Sequence, residues 1–196
     1  MASDNVALVP YDPAWPGLFE QEAARLRAVL PPGQAIGIEH FGSTAVPGML
    51  SKPIIDILIA VRSLAQAKAA FVAPIISLGY VYWEDNPATD RMFFVKGMPP
   101  YGEQRTHHVH VTEPDGEMWQ RRLAFRDHMR AHPEEAQRYA ALKRELARRH
   151  AADREAYTAA KTDYVEALYR RMGLASSVPT TAPDGGLRTG RRTAPN

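Results

Sequence analysis

Apolar positions recur every three or four residues at the start of the chain: Trp15, Leu18, Phe19, Leu26, Val29 and Leu30, with Glu22 on the same stripe. This spacing predicts an amphipathic helix with Asp12 at its N-cap and Pro13 at its first position, ended by Pro31-Pro32-Gly33. The pattern then changes to short apolar runs. Residues 36–41 and 53–61 read as strands on either side of a short turn or helix at 44–50. Residues 64–78 return to a helical pattern with Gly79 as C-cap residue. Three further strands are predicted at 80–84, 91–96 and 106–112, the first two flanking the polar turn Asp85-Asn86-Pro87.

From Glu117 the signal is helical as far as Arg171, interrupted at His132-Pro133 and loosened at 150–153, where Asp153 is placed to cap a last helix. Clustered strands followed by a helical half predict an α+β fold, with a mixed or antiparallel sheet and a C-terminal helical segment. Residues 175–196 are Ser, Thr, Pro, Gly and Arg with almost no large apolar side chain. A disordered tail is expected there, leaving one domain over 1–174. Within the helical half, Tyr139-Ala-Ala-Leu-Lys143 is echoed by Tyr157-Thr-Ala-Ala-Lys161 after eighteen residues. That is about five turns if the helix is continuous, and an echo this short reads as chance.

Composition narrows the chemistry. The chain has 196 residues, 45% hydrophobic and 23% charged, enough for one sizeable core. It has no cysteine, so thiol catalysis, disulfides and zinc–cysteine sites are excluded. No apolar run reaches the roughly 18 residues that span a bilayer, and the first residues show no signal-peptide pattern. A cytoplasmic protein without membrane partners is expected. The net charge of +2 matches the contribution of Arg188, Arg191 and Arg192 against Asp184, so the body is near neutral. Residues 118–150 nevertheless carry nine Lys or Arg against four acids, a local +5 that suits phosphates or a solvated helix face.

Candidate chemistry centres on residues 40–59. Gly42-Ser43 follows a strand and precedes a possible helix start at Thr44, where backbone N–H groups and a hydroxyl can approach an anion. Lys52 and Asp56 follow closely, and Asp56 interrupts the apolar run Pro53-Ile-Ile-Asp-Ile-Leu-Ile59. A carboxylate there needs an ion pair, hydrogen bonds or a metal. The loop is not a Walker A sequence, which excludes a P-loop ATPase. In the 106–112 strand, His108 and His110 share one face about 7 Å apart, suited to one metal or one phosphate. His110-Val-Thr112 has no second copy, so a paired H-x-[ST] phosphoesterase is disfavoured. Arg126 and Arg130 lie four apart and can meet the same anion from one helix face. The chain has no aromatic–basic interleaving of a nucleic-acid reader, so nucleic acid is not an expected partner.

Taken in order, Val9-Pro-Tyr-Asp-Pro-Ala-Trp15, His40-Phe-Gly-Ser-Thr-Ala-Val-Pro-Gly48, Lys52-Pro-Ile-Ile-Asp56, His108-Val-His110-Val, Phe125-Arg-Asp-His-Met-Arg-Ala-His-Pro133 and the two Tyr-x-x-x-Lys elements resemble the GrpB family, of the UPF0157 type. The likeness runs over roughly residues 6–172. That family is similar to the nucleotidyltransferase superfamily, which implies a mixed sheet flanked by helices, a nucleotide phosphate at Gly42-Ser43 and a magnesium ligand on the next strand.

The resemblance implies transfer of a nucleotidyl or related phosphoryl group from a nucleoside triphosphate to a small acceptor, with Mg²⁺ or Mn²⁺. Asp56, Ser43 and Lys52 would be the reacting groups. Gly42, Ser43, Thr44, Lys52, Arg91, Arg105, Arg126 and Arg130 would hold the nucleotide, and Asp56, His108 and His110 the metal. Working nucleotidyltransferases usually carry Asp-x-Asp on that strand, but position 58 here is Leu58. His108 and His110, or Glu113, can stand where a third acid would lie. Either the chemistry is altered, or the fold binds a nucleotide or anion without turnover.

Overall fold

A five-stranded sheet in the order β1-β2-β5-β4-β3 organises the molecule. The computed structural model describes residues 7–174, so the tail expected over 175–196 lies outside the described residues. In chain order the elements are α1 (Trp15–Val29), β1 (Ala35–Phe41), a single 3₁₀ turn (Ser43–Ala45), β2 (Ile55–Val61), α2 (Leu64–Ser77), β3 (Tyr80–Tyr82), β4 (Arg91–Lys96), β5 (His107–Thr112), α3 (Glu117–Ala131), α4 (Pro133–Arg149) and α5 (Arg154–Arg171). The sheet is mixed: β2 and β5 are parallel, and the other three pairings are antiparallel. The α+β class and the helical C-terminal segment are as expected.

Alternation on the central strands sorts residues between two layers. Ile55, Ile57, Ile59 and Val61 of β2, with Val109 and Val111 of β5 and Phe94 of β4, form the main core with Trp15, Phe19 and Leu26 of α1 and Phe71 and Ile75 of α2. On the opposite face Phe41 and Leu58 meet Met118, with Trp119 and Leu123 packed alongside. Gly37 in β1 leaves room for this helix, because a Cβ there would come 3.0 Å from the Trp119 ring. A third cluster, including Val46, Met49, Phe125, Met129, Tyr139, Leu168 and Tyr169, joins α3, α4 and α5 to the segment after the 3₁₀ turn.

Two boundaries differ from expectation for identifiable reasons. Asp12 accepts from the Ala14 N–H at 2.8 Å and thus closes a turn, while α1 begins at Trp15 with Pro16 in its N–H-free first turn. Strand β2 begins at Ile55, not at residue 53. Pro53 has no N–H to donate, Ile54 turns its N–H to the Lys52 carbonyl, and Ile55 is the first to bond Thr106. As expected, the helical half breaks between Arg149 and Asp153, whose side chain caps α5 by accepting from the Ala156 N–H at 2.8 Å. Glu135 near the start of α4 contacts Arg171 at the end of α5, so the two helices form an antiparallel hairpin, and the Tyr-x-x-x-Lys echo does not lie along one helix.

Candidate functional site

The site grows from the β2–β5 pairing. Their parallel register sets Asp56 beside His108 and Leu58 beside His110, and residues at alternate positions share the face away from the main core. Asp56 Oδ1 accepts from His108 Nδ1 at 3.0 Å. Phe93 packs at 5.3 Å from the His108 ring and 4.5 Å from the His110 ring, and Phe41 meets His110 edge-on at 5.4 Å. These aromatics fix both imidazoles. Asp56, His108 and His110 each present one ligand atom, all within 4.8 Å of one another.

The Asp56 side chain keeps a quarter of its surface exposed. Burial alone would raise its carboxyl, but the His108 hydrogen bond and the charges of His108, His110 and Lys52 outweigh that and hold it below the ordinary carboxylate range. The acid is therefore ionised at neutral pH and ready to hold a cation.

Gly42 connects this acid to the turn. Its φ is +71°, a left-handed conformation that favours glycine, and a Cβ there would press into the Asp56 carboxylate, 3.1 Å from its Cβ and Cγ. The Gly-Ser turn thus rests directly on Asp56. Ser43 is half-buried, whereas Thr44 is turned inward: its hydroxyl donates to the Ile54 carbonyl at 3.2 Å and accepts from His40 Nε2 at 3.0 Å. His40 stacks on Phe19 at 4.9 Å, and burial, assisted by Arg130 and Arg126, lowers its pKa to about 4 against the pull of Asp56. It is a neutral strut that fixes the turn.

The expected basic residues divide. Lys52 lies with its Nζ 5.5 Å from the Tyr157 ring and within the field of Asp56. Arg91, on the same sheet face one alternate position beyond Phe93, contacts Asp90 at 3.3 Å and the Met118 sulfur at 3.7 Å. Arg105 is half-buried in the loop leading into β5. Arg126 and Arg130 are placed differently from the shared-anion expectation. Arg126 is buried and binds Glu39 at 2.8 Å, Asp127 at 2.7 Å and the His40 carbonyl at 2.9 Å, so two carboxylates already occupy its guanidinium. Arg130 donates to the Ala45 carbonyl at 2.9 Å and braces the turn from outside. Glu113 accepts from the Leu64 N–H at 2.9 Å, which commits it to the start of α2 instead of to the site.

One residue was not anticipated. Lys143 of α4 is 2% exposed, and its Nζ donates to Ser43 Oγ at 3.1 Å and to the Leu50 carbonyl. Its signal in the sequence was the Tyr-x-x-x-Lys echo.

The GrpB protein family profile matches residues 5–171. The chain belongs to the GrpB family. It is similar to a UPF0157 protein of Pseudomonas aeruginosa, 48% identical over 193 residues, covering 96% of this chain and 76% of that one. It is also similar to the crystal structure of the conserved protein GrpB from Enterococcus faecalis, with a TM-score of 0.75 and 32% identity, covering 84% of this chain and 96% of the other. A protein of Mycolicibacterium paratuberculosis named dephospho-CoA kinase is 32% identical over 192 residues; 87% of this chain is covered, and the chain spans about half of that protein, 47% of its length. Among the described residues no helix is long and apolar enough to cross a membrane.

Proposed function

We propose that this GrpB-family protein transfers a nucleotidyl or related phosphoryl group from a nucleoside triphosphate to a small acceptor, with a divalent ion held by Asp56, His108 and His110. The observation that supports this reading is the close approach of the Gly42-Ser43 turn to Asp56, next to three side chains whose ligand atoms lie within 4.8 Å of one another. Resemblance to the nucleotidyltransferase superfamily supports the same pairing, and the phosphoryl chemistry in the name of the mycobacterial relative is consistent with a phosphate-bearing ligand.

One carboxylate with two imidazoles suits Mn²⁺ better than Mg²⁺, which prefers an all-oxygen shell. Such an ion, when bound, neutralises phosphate oxygens and acidifies a coordinated hydroxyl. The chain's own groups do the rest. Ser43 donates to a phosphate oxygen, Lys52 adds positive charge next to Asp56, and Phe41 and Phe93 hold the imidazoles in place. Release of pyrophosphate, the leaving group of nucleotidyl transfer, or of nucleoside diphosphate, the leaving group of phosphoryl transfer, from each of the four nucleoside triphosphates with Mn²⁺, compared between the wild type and Asp56→Asn, tests the reading. Release that depends on Asp56 supports transfer, and no release with any nucleotide or ion rejects it.

A second reading rests on Leu58, which is fully buried against Phe41 and Met118 at the position where a second acid would stand. With one carboxylate on β2, the same fold serves as a nucleotide- or anion-binding module without turnover. Nucleotide binding that survives with no product formed favours this alternative.

A further inference from the structure

Lys143 of α4 is buried behind the Gly-Ser turn, and no carboxylate pairs with it among the described residues. Its Nζ meets Ser43 Oγ at 3.1 Å and the Leu50 carbonyl, and lies 5.0 Å from the Tyr139 ring. An ammonium removed from water without a counter-ion is costly, so the neutral amine is favoured. Burial first, and the charge of Lys161 on α5 second, bring the amine down to about 7. At neutral pH a large share of it is therefore unprotonated, with a lone pair to accept the Ser43 proton. One N–H of the neutral amine stays on the Leu50 carbonyl, which orients it as a third group orients the base beside an activated nucleophile. Ser43 is equally well placed. It stands between Gly42 and Thr44, and Thr44 is anchored to the Ile54 carbonyl and His40 while Arg130 braces the Ala45 carbonyl. Ser43 is only half-buried, so a ligand can reach its hydroxyl while the base behind it stays shielded from water.

We propose that Ser43 is a nucleophile with Lys143 as its general base, and that the group taken from a nucleoside triphosphate rests covalently on Ser43 before it reaches the acceptor. A serine hydroxyl is a weak nucleophile until an adjacent base takes its proton. A phosphorus electrophile fits this turn because Gly42 abuts Asp56, which with His108 and His110 can hold the cation that a triphosphate brings. In the first step a bond forms between Ser43 Oγ and phosphorus, the bridging P–O bond of the donor breaks, and the Oγ proton passes to Lys143 Nζ. Pyrophosphate leaves after attack on the α-phosphorus, and nucleoside diphosphate after attack on the γ-phosphorus. In the second step the acceptor hydroxyl attacks the same phosphorus, Lys143 returns its proton to Ser43 Oγ, and the acceptor's proton goes to solvent. The assignment rests on the transfer reading for its donor and deepens it, since the hydroxyl that holds a phosphate becomes the atom that receives one. The Ser43–Lys143 pair itself needs neither nucleotide nor ion.

The test has two arms, both read by mass spectrometry of the full chain and its peptides. In the first, phenylmethanesulfonyl fluoride without nucleotide or metal probes the pair alone. A single sulfonyl group is expected on Ser43, at a rate that rises with pH and is half-maximal near 7, where the amine loses its proton. The labelling should vanish in Ser43→Ala and slow about 100-fold in Lys143→Met. Where Lys143→Met fails to fold, the wild-type pH profile and Ser43→Ala still decide. In the second arm, each nucleoside triphosphate, labelled at the α- or the γ-phosphorus, is added with Mn²⁺ and no acceptor. Label is expected on Ser43 from one position alone, α for a nucleotidyl group and γ for a phosphoryl group. No modification of Ser43 in either arm, or sulfonylation at a rate that does not change with pH, overturns the proposal. If Ser43→Ala releases pyrophosphate or nucleoside diphosphate at the wild-type rate, the covalent step falls and transfer stands. If Ser43 is sulfonylated with the expected pH profile but no nucleotide is consumed, transfer falls and the nucleophile–base pair stands.

Discussion

Replacing Lys143 by Met removes a buried charge while keeping side-chain volume. The amine falls from its ordinary 10.5 to about 7 in the folded protein, which at about 1.36 kcal/mol per pH unit makes holding it cost about 4–5 kcal/mol at pH 7. Opposing this, the substitution loses hydrogen bonds to Ser43 Oγ and the Leu50 carbonyl, about 1 kcal/mol each, and leaves the carbonyl unsatisfied at a further 1–2 kcal/mol or so. Lys143→Met is therefore expected to stabilise the protein by about 1 kcal/mol at pH 7, a rise of roughly 2–4 °C in Tm. The pH dependence has a definite sign. The folded amine titrates near 7 and the unfolded one near 10.5, so the penalty is full below pH 7 and fades as pH rises toward 10.5. By pH 9.5 about 3 kcal/mol of the wild-type handicap is gone, and the order of stability reverses. Urea denaturation of both proteins at pH 7 and pH 9.5 measures this swing. A variant less stable at pH 7, with a gap that does not change with pH, would refute an uncompensated buried ammonium and make Lys143 an ordinary packing residue.

Other substitutions probe the remaining joints. Gly42→Ala must strain a φ of +71° and displace the Asp56 carboxylate, so it should destabilise by about 2–3 kcal/mol in thermal melts and abolish metal binding. Asp56→Asn removes the sole carboxylate of the ligand set and its bond to His108; Mn²⁺ affinity should fall at least 100-fold by calorimetry while far-ultraviolet circular dichroism stays unchanged. On the opposite face, Glu22 is buried and held by Lys96 at 2.6 Å and Tyr80 at 3.0 Å; burial tends to raise its carboxyl, but these partners win and lower it. Its contribution is present above pH 4.5 and lost as pH falls through its lower folded value. Glu22→Gln should thus cost about 3 kcal/mol in urea melts at pH 7 and flatten the wild-type loss of stability in acid.

Local signals carried much of the fold. Strand β4 occupies the residues its apolar run marks, and Asp153 caps α5 as its place before a helical pattern suggests. Asp56, His108 and His110 stood out because each interrupts or decorates an apolar strand. Periodicity, however, says nothing about which strands are neighbours. The parallel register that sets Asp56 beside His108 is a pairing across 52 positions. The same limit applies to Arg126. Four-residue spacing on a helix marks a shared face, but the partner that occupies it, Glu39, is 87 positions away. Lys143 was the largest omission. Its echo with Lys161 reads as chance along a continuous helix; the chain instead reverses after Arg149, and Lys143 meets Ser43 while Lys161 meets Tyr157.

Pulsed electron paramagnetic resonance of the full chain loaded with one equivalent of Mn²⁺ tests the proposed cation niche most directly. Nitrogen couplings from two imidazoles are predicted, one lost in His108→Ala, the other in His110→Ala, and the bound ion itself lost in Asp56→Asn. A Mn²⁺ spectrum without nitrogen coupling, unchanged by all three substitutions, would contradict a metal centre at Asp56, His108 and His110.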